Sequence, residues 1–252
     1  MEFSLKSCTV GAVFDLAEVR ELATACVELA DSRGLRLSLS NDLAGWASHM
    51  RGAVGADGVN PTFDPAYSRV LPAENLCVWV RDETGEAVAC IAGRVFETAD
   101  FTALVRSMEL WFDPVPSGLG DGLRLALPPT FPVLAGRVGH VGGLWIHPKY
   151  RGKGLSAMLA RLARGAVLDR FACDWDTWVS FRKIADKAVL TSAYGTAGTA
   201  LCVDGFFPPT NRHEQVFLSF ATRAQVMHAV RDGVVVLAKA MLPDGHRRLT
   251  SV

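Results

Sequence analysis

The chain has 252 residues, of which half are hydrophobic and 21% are charged, and its 26 Lys and Arg residues balance its 26 Asp and Glu residues. This composition is typical of one large folded domain or two small ones, and it excludes a disordered chain. Because nucleic-acid surfaces need clustered excess cations, the zero net charge argues against a general nucleic-acid-binding protein.

The predicted elements mix helices and strands, which indicates an α/β fold with a mixed sheet. The first helix has the strongest end signals, because Asp15 and Glu18 match a capping box and Gly34 is a typical stop. Asp100 is a candidate N-cap for a later helix. In chain order the elements are helices over 15–34 and 41–50, a β-hairpin over 75–96, a helix over 101–112, a strand over 140–146, a helix over 154–170, a strand over 177–181, a helix over 185–194, a strand over 214–220 and a helix over 222–230.

Two further segments complete the predicted organisation. Residues 113–138 are rich in proline and glycine and show no periodicity, so we expect an irregular insertion before a central strand. Residues 221–252 are expected to form a C-terminal helical extension. We therefore predict a single domain over residues 1–252, without internal repeats.

The segment LWIHPKYRGKGLSAMLARL, residues 144–162, joins a strand to a helix through a basic turn. Glycines let a ligand approach the backbone, and the free amides and the dipole at a helix start favour an anion. The segment therefore predicts an anion-binding site. The turn contains three cations and two glycines, which are Lys149, Arg151, Lys153, Gly152 and Gly154.

Two nucleotide-binding motifs compete for this turn. The P-loop fails, because Gly154 follows the Gly-Lys pair where Ser or Thr is required. The dinucleotide fingerprint G-x-G-x-x-G/A is present as Gly152, Gly154 and Ala157, although five residues separate the strand from the first glycine. An acidic residue should also close the next strand, whereas Asp174 and Asp176 precede it. A dinucleotide-binding oxidoreductase is therefore the weaker alternative.

The sequence WIHPKYRGKGLSAMLARL resembles the acyl-CoA-binding segment of the GNAT N-acetyltransferase superfamily. That family's motif is Arg/Gln-x-x-Gly-x-Gly/Ala after an apolar strand, and Arg151, Gly154 and Ser156 occupy its three positions here. Ser156 departs from the pattern but is still small. The resemblance covers roughly residues 75–96 and 139–220. It implies a GNAT fold, with a mixed central sheet flanked by helices, a long insertion before the fourth strand and a splay where acyl-CoA enters.

In such proteins the turn amides hold the CoA pyrophosphate, and the preceding strand pairs with the pantetheine arm. The resemblance thus implies that main-chain groups of Leu144 and Ile146 contact the thioester and the pantetheine. Acetyl-CoA is the expected co-substrate, and no metal is expected. The residues predicted to bind acetyl-CoA are Leu144, Trp145, Ile146, Arg151, Gly152, Lys153, Gly154, Leu155 and Ser156.

Acetyl transfer to an amine needs a base for the acceptor's proton and an acid for the leaving thiolate. His140 is the candidate base, because a histidine titrates near pH 6.5 and strand alternation puts it on the face of Leu144 and Ile146. GNAT arylalkylamine acetyltransferases carry histidines on this strand, and the second of them falls on Gly142 here. Since four strand residues span about 13 Å, we expect a water relay and a bulge at Gly142 and Gly143. The alternative is a hydrogen-bonded core histidine.

Tyr194 is the candidate acid. The family often has a tyrosine about four residues before a Gly-Phe pair late in its fourth helix, but Leu201 stands there before Gly205 and Phe206. Tyr194 lies seven residues earlier, which is about two helical turns. A packed aromatic residue is the alternative role for this tyrosine.

These features predict an N-acetyltransferase that transfers an acetyl group from acetyl-CoA to a primary amine of a small molecule or peptide, by direct attack in a ternary complex. The alternative within the same fold is a non-catalytic acyl-CoA-binding module. We expect the insertion 113–138 over or beside the acceptor cleft, with a dimer contact or a plain surface excursion as alternatives. No nucleic-acid or membrane partner is expected, and a homodimer stays open.

The cysteines and the hydropathy pattern argue against a metal-binding, membrane-spanning or secreted protein. Six cysteines are scattered without metal-ligand spacing, so we expect buried free thiols. The sequence has no run of about eighteen apolar residues and no cationic start followed by an apolar stretch, so a cytoplasmic protein is expected.

Overall fold

Helices and strands alternate in the computed structural model, which describes residues 2–6, 10, 13–119, 122–186 and 198–241. In chain order they are β1 (Glu2–Ser4), α1 (Ala17–Asp31), β2 (Arg36–Ser40), α2 (Leu43–Gly52), β3 (Asn75–Arg81), β4 (Ala87–Thr98), α3 (Phe101–Ser107), β5 (Gly136–Ile146), α4 (Leu155–Phe171), β6 (Trp175–Phe181), α5 (Arg182–Ala185), β7 (Gly198–Phe207), β8 (Arg212–Thr222) and α6 (Arg223–Ala240).

The strands form one mixed sheet in the order β1-β2-β3-β4-β5-β6-β8-β7. Every neighbouring pair is antiparallel except β5 and β6, which are parallel. The predicted mixed α/β fold is therefore confirmed. A dinucleotide-binding oxidoreductase of the doubly wound type needs a mostly parallel sheet, and this antiparallel order excludes it.

The parallel pair β5–β6 is short, and this opens the sheet. Its register pairs are Val138 with Trp175, Gly139 with Asp176 and His140 with Thr177, and the described residues beyond them are unpaired across this edge. β6 continues along β8, whereas β5 continues along β4. The two halves of the sheet thus separate after His140, as the predicted splay requires.

Helix α4 is buried on two sides, between the sheet and the helices α1 and α6. The predicted apolar face is buried, and so are Ala160 and Leu168 on the opposite side. A Cβ on Gly165 would lie 3.0 Å from Val230 Cγ2, so this glycine allows close packing of α6. Arg164 is buried as well and pairs with Asp176 at 2.6 Å. Asp176 therefore has a structural partner and is not available to bind a ribose.

The opposite face of the sheet carries two apolar clusters. One cluster is built on α2 and includes Trp46, Phe63 and Trp145. The other is built on α3 and the segment after it, and it packs on β7 and β8. Within the predicted insertion 113–138, residues 113–119 and 122–135 contain no helix or strand. Its predicted end was wrong, because β5 already begins at Gly136, where the chain pairs with β4. The insertion lies on the second cluster, where the ring of Phe131 is 5.0 Å from that of Phe220.

The start of α1 differs from the prediction. The helix begins at Ala17 with Leu16 as N-cap, and no side chain caps it from within the segment. The main-chain nitrogens of Asp15 and Leu16 instead donate to the Asp169 carboxylate of α4, at 3.0 and 2.8 Å. The predicted capping box of Asp15 and Glu18 was therefore wrong, because a distant carboxylate satisfies these amides.

Strands β1, β2 and β7 were not predicted. β7 contains Gly205 and Phe206, so the Gly-Phe pair lies in a strand and not late in a helix. Of the helix predicted over residues 185–194, only Ala185 and Asp186 are among the described residues, and the short helix α5 ends at Ala185. Tyr194 lies outside the described residues.

Candidate functional site

A bulge interrupts β5 at the open part of the sheet. Trp145 pairs with Cys90 and Gly142 with Ala92, so two residues of β5 oppose one residue of β4. Gly143 adopts a φ of 61°, and a Cβ there would lie 2.4 Å from the Trp46 ring. Only glycine fits this position without displacing the tryptophan. The predicted bulge is confirmed.

The bulge reverses the alternation of side chains along β5. His140 stacks on Phe63 on the α2 side of the sheet, whereas Leu144 and Ile146 pack against the core under α4. The prediction that His140 shares a face with Leu144 and Ile146 was therefore wrong. The physical reason is the extra residue of the bulge, which turns every later side chain to the other face.

The main-chain groups of Leu144 and Ile146 point into the splay. His147 N donates to Val88 O at 2.8 Å. Because main-chain hydrogen bonds between antiparallel strands involve every second residue, Trp145 also bonds to β4. The alternate residues Leu144 and Ile146 then direct their N–H and C=O groups away from β4. Consistent with this, Ile146 O accepts a hydrogen bond of 3.2 Å from Arg151 Nε. A ligand in the splay can thus pair with β5 as a strand would.

The turn after β5 exposes the first amides of α4. Gly152 and Gly154 have φ values of 75° and 73°, in the left-handed region that favours glycine. Gly154 is the N-cap of α4, and no side chain caps the helix. The amides of Leu155 and Ser156 are therefore available to an anion, with the helix dipole behind them.

Three cations lie in this turn or against it. Arg151 is fixed by Nη2, which donates to Gly55 O at 3.3 Å. Lys153 Nζ lies 4.7 Å from the centre of the Tyr150 ring. Arg33, at the end of α1, donates to Lys153 O and is a member of the site that sequence reasoning missed. No sequence pattern signals Arg33, because 120 residues separate it from the turn.

Two predicted CoA-binding residues use their side chains elsewhere. The Trp145 side chain is buried on the α2 side, where Nε1 donates to Val54 O at 3.0 Å. The Leu155 side chain is buried in the core under α4. Both residues can therefore contact a ligand in the splay only through the main chain.

His140 is fully buried at the point where the sheet begins to splay. Its ring stacks on Phe63 with centroids 5.8 Å apart and lies 5.7 Å from Phe101. His140 Nδ1 is 3.0 Å from Thr177 Oγ1, which itself donates to Gly139 O at 2.9 Å. Because the threonine proton is already used, His140 Nδ1–H is the donor of the pair. Nε2 then carries the lone pair, and it has no hydrogen-bond partner in the described part of the chain.

Burial controls the charge of His140. Burial, together with a smaller effect of the nearby Arg94 guanidinium, lowers the pKa of His140 to about 3. The ring is therefore neutral across the physiological range. The expectation that His140 titrates near pH 6.5 was wrong, because the sequence does not show that the ring is enclosed by aromatic side chains.

The cysteines that the structure describes are buried and are not ionised at neutral pH. The five described cysteines are free and buried. Burial raises the pKa of Cys90, Cys173 and Cys202 to about 12, so these thiols are not ionised at neutral pH.

Across the described residues no three His, Cys, Asp or Glu side chains are grouped so that they could hold a metal ion. Within the same ranges, no helix has the length and apolar character to cross a membrane.

Known structures resemble this chain at low similarity. They include ribosomal-protein-S5-alanine acetyltransferase from Vibrio fischeri (12% identity, 75% of this chain and 93% of that chain, TM-score 0.41) and NAA60 from Arabidopsis thaliana in complex with acetyl-CoA (11%, 75% and 98%, TM-score 0.41). Spermidine/spermine N-acetyltransferase SpeG from Vibrio cholerae is a further example (11%, 62% and 69%, TM-score 0.37).

The match of the sequence to a family model identifies the family. No curated protein matches the chain. A family model described as the acetyltransferase (GNAT) family matches residues 53–180, which is just over half of the chain and includes the bulge, the turn and four of the eight described strands, β3 to β6. The chain therefore belongs to the GNAT acetyltransferase family.

Proposed function

We propose that the protein is an acetyl-CoA-dependent N-acyltransferase that acetylates a primary amine of a small molecule or peptide in a ternary complex. The observation that carries the proposal is the splay of β5 from β6 directly beside the uncapped start of α4. A strand edge without a partner suits the amides of a pantetheine arm, and a helix start with two left-handed glycines suits a pyrophosphate.

In this proposal the CoA pyrophosphate binds the amides of residues 152–156, with Arg151 and Lys153 supplying charge. The pantetheine arm and the thioester carbonyl bind the main-chain groups of Leu144 and Ile146. An amide that donates to the thioester oxygen stabilises the negative charge that develops there during attack. Holding both reactants in place supplies much of the remaining rate enhancement.

The reaction is a direct transfer. The amine nitrogen bonds to the acetyl carbon, the C–S bond breaks, one proton leaves the nitrogen and one reaches the thiolate. The raised pKa values of the buried thiols support this route, because Cys90, Cys173 and Cys202 are poor nucleophiles at neutral pH.

The proton transfers are assigned to His140 and Tyr194 as part of the same proposal. Neutral His140 accepts a hydrogen bond at Nε2 from a water that takes the acceptor's proton and releases it to solvent, and Thr177 holds the ring in the required tautomer. With a pKa of about 3, the imidazole orients this water and does not itself keep the proton. Tyr194 is the proposed acid for the thiolate. The insertion 113–138 is proposed to flank the acceptor cleft, since it covers the sheet on the His140 side.

An assay of thiol release tests the proposed function. The protein is incubated with acetyl-CoA and a panel of alkyl amines, polyamines, amino-acid amides and short peptides. We expect free CoA to appear in equal amount to acetylated product with at least one acceptor class. Acetyl-CoA binding without thiol release across the whole panel would identify a non-catalytic module, and absence of binding would contradict the proposal altogether.

A further inference from the structure

One route for an acceptor leads to the bulge from the α2 side of the sheet. On the α4 side, Val167 packs against the strand just before the bulge, where a Cβ on Gly139 would lie 2.8 Å from Val167 Cγ1. Gly142 and Gly143 are half-buried on the strand itself. A reactant that approaches from the α2 side of the sheet passes the groups that cover these two glycines.

The side chain of Asn60 lies on that route. A Cβ built on Gly142 would lie 2.8 Å from Phe63 Cε2 and 3.7 Å from Asn60 Nδ2. The Phe63 ring therefore packs directly on Gly142, and the Asn60 carboxamide lies beside the same point of the strand. Asn60 is half-buried, as expected of a residue at the rim of a site.

The orientation of the Asn60 carboxamide is determined by its own backbone. Asn60 Oδ1 accepts a hydrogen bond of 3.0 Å from Thr62 N at the start of a short 3₁₀ helix. This bond assigns the oxygen to the turn and directs the amide nitrogen toward the strand. Nδ2 has no hydrogen-bond partner among the described residues, so its two N–H donors are available at the bulge.

The segment that carries Asn60 is held rigidly. Arg94 is buried and donates to Thr62 O at 2.9 Å and to Arg69 O at 3.3 Å. Arg51 Nη2 contacts both carboxylate oxygens of Asp64, at 2.6 and 2.7 Å. A donor fixed on both sides in this way loses little entropy when it binds a substrate.

We propose that Asn60 is an acceptor-binding residue and that the preferred acceptor carries a neutral carbonyl oxygen next to its amine, as an α-amino amide or a peptide N-terminus does. A neutral N–H donor beside the attack position recognises an oxygen and offers nothing to a plain alkyl chain. The oxygen must lie within a few atoms of the amine, because Nδ2 lies against the bulge where attack takes place. The inference rests on the proposed function and adds the class of acceptor.

Two matched acceptors and one conservative variant test this inference. Glycinamide carries the carbonyl, and isobutylamine has the same shape without it. Asn60→Asp keeps the oxygen that caps Thr62 but removes the N–H donors, so it separates recognition from folding. We expect kcat/KM for glycinamide to fall at least about tenfold in this variant, whereas the value for isobutylamine changes less than about twofold.

Asn211→Asp is the matched control, because it adds the same charge at an exposed turn between β7 and β8. Its kinetics should be those of the wild type, and acetyl-CoA affinity should be unchanged in both variants. Equal losses for both acceptors, or no loss for either, overturn the role of Asn60 while the proposed function stands. Absence of acetyl-CoA-dependent thiol release from the wild type across the amine panel overturns the proposed function itself.

Discussion

Replacing Gly154 by valine is expected to abolish measurable acetyl-CoA binding while the protein stays folded. Gly154 has a φ of 73° and is the N-cap of α4. A β-branched residue is strained there by roughly 1–3 kcal/mol, which a domain of ordinary stability tolerates. The backbone must then rotate, and the amides at the helix start no longer converge on one anion. We expect affinity to fall by roughly 100-fold or more, measured by calorimetric titration with acetyl-CoA.

Gly118→Val is the control for this experiment. Gly118 also has a left-handed φ, of 97°, and a Cβ there would have no neighbour within 4 Å. It lies in the insertion, away from the turn, so this variant carries similar backbone strain without touching the proposed anion site. Retention of wild-type affinity by folded Gly154→Val would rule out the turn as the pyrophosphate site.

Stability is expected to fall with decreasing pH because of His140. Its pKa is about 3 in the folded protein and roughly 6.5 in the unfolded chain. Between these values the unfolded state binds the proton and the folded state does not, so the free energy of unfolding rises with pH. The contribution of His140 is fully present above about pH 6.5 and is lost toward pH 3, by up to about 1.4 kcal/mol per pH unit.

Urea unfolding at a series of pH values measures this effect. His140→Gln removes the titrating ring, so the difference in stability between the wild type and this variant should change with pH over that window. His213→Gln removes an exposed histidine and should leave the profile of the wild type unchanged. If the profiles of the wild type and His140→Gln run parallel, His140 is not held neutral by burial.

The local features of the site could be predicted from sequence because neighbouring residues determine them. Glycines at 152 and 154, next to cations and before an apolar helix, indicate an anion site without any tertiary information. The adjacent glycines 142 and 143 likewise predict a bulge. Asp100 caps α3 as predicted, at 2.8 Å from Thr102 N.

The features that depend on tertiary contacts could not be predicted. Asp169 replaces the capping box of α1 from 153 residues away. Asn60 and Arg33 join the site through contacts that no spacing encodes. The face and the pKa of His140 depend on the bulge and on three surrounding phenylalanines. Strand β2, in contrast, could have been predicted from the sequence. Leu35, Leu37 and Leu39 occupy every second position, a pattern that indicates a half-buried strand.

Amide hydrogen exchange with and without acetyl-CoA tests the central claim most directly, since it reports on each main-chain donor assigned to the ligand. We expect saturating acetyl-CoA to slow exchange at the amides of Leu144, Ile146 and residues 152–156. The turn at 208–211, between β7 and β8, should exchange at the same rate in both states. Acetyl-CoA that binds tightly but leaves the exchange of residues 144–156 unchanged would contradict the account.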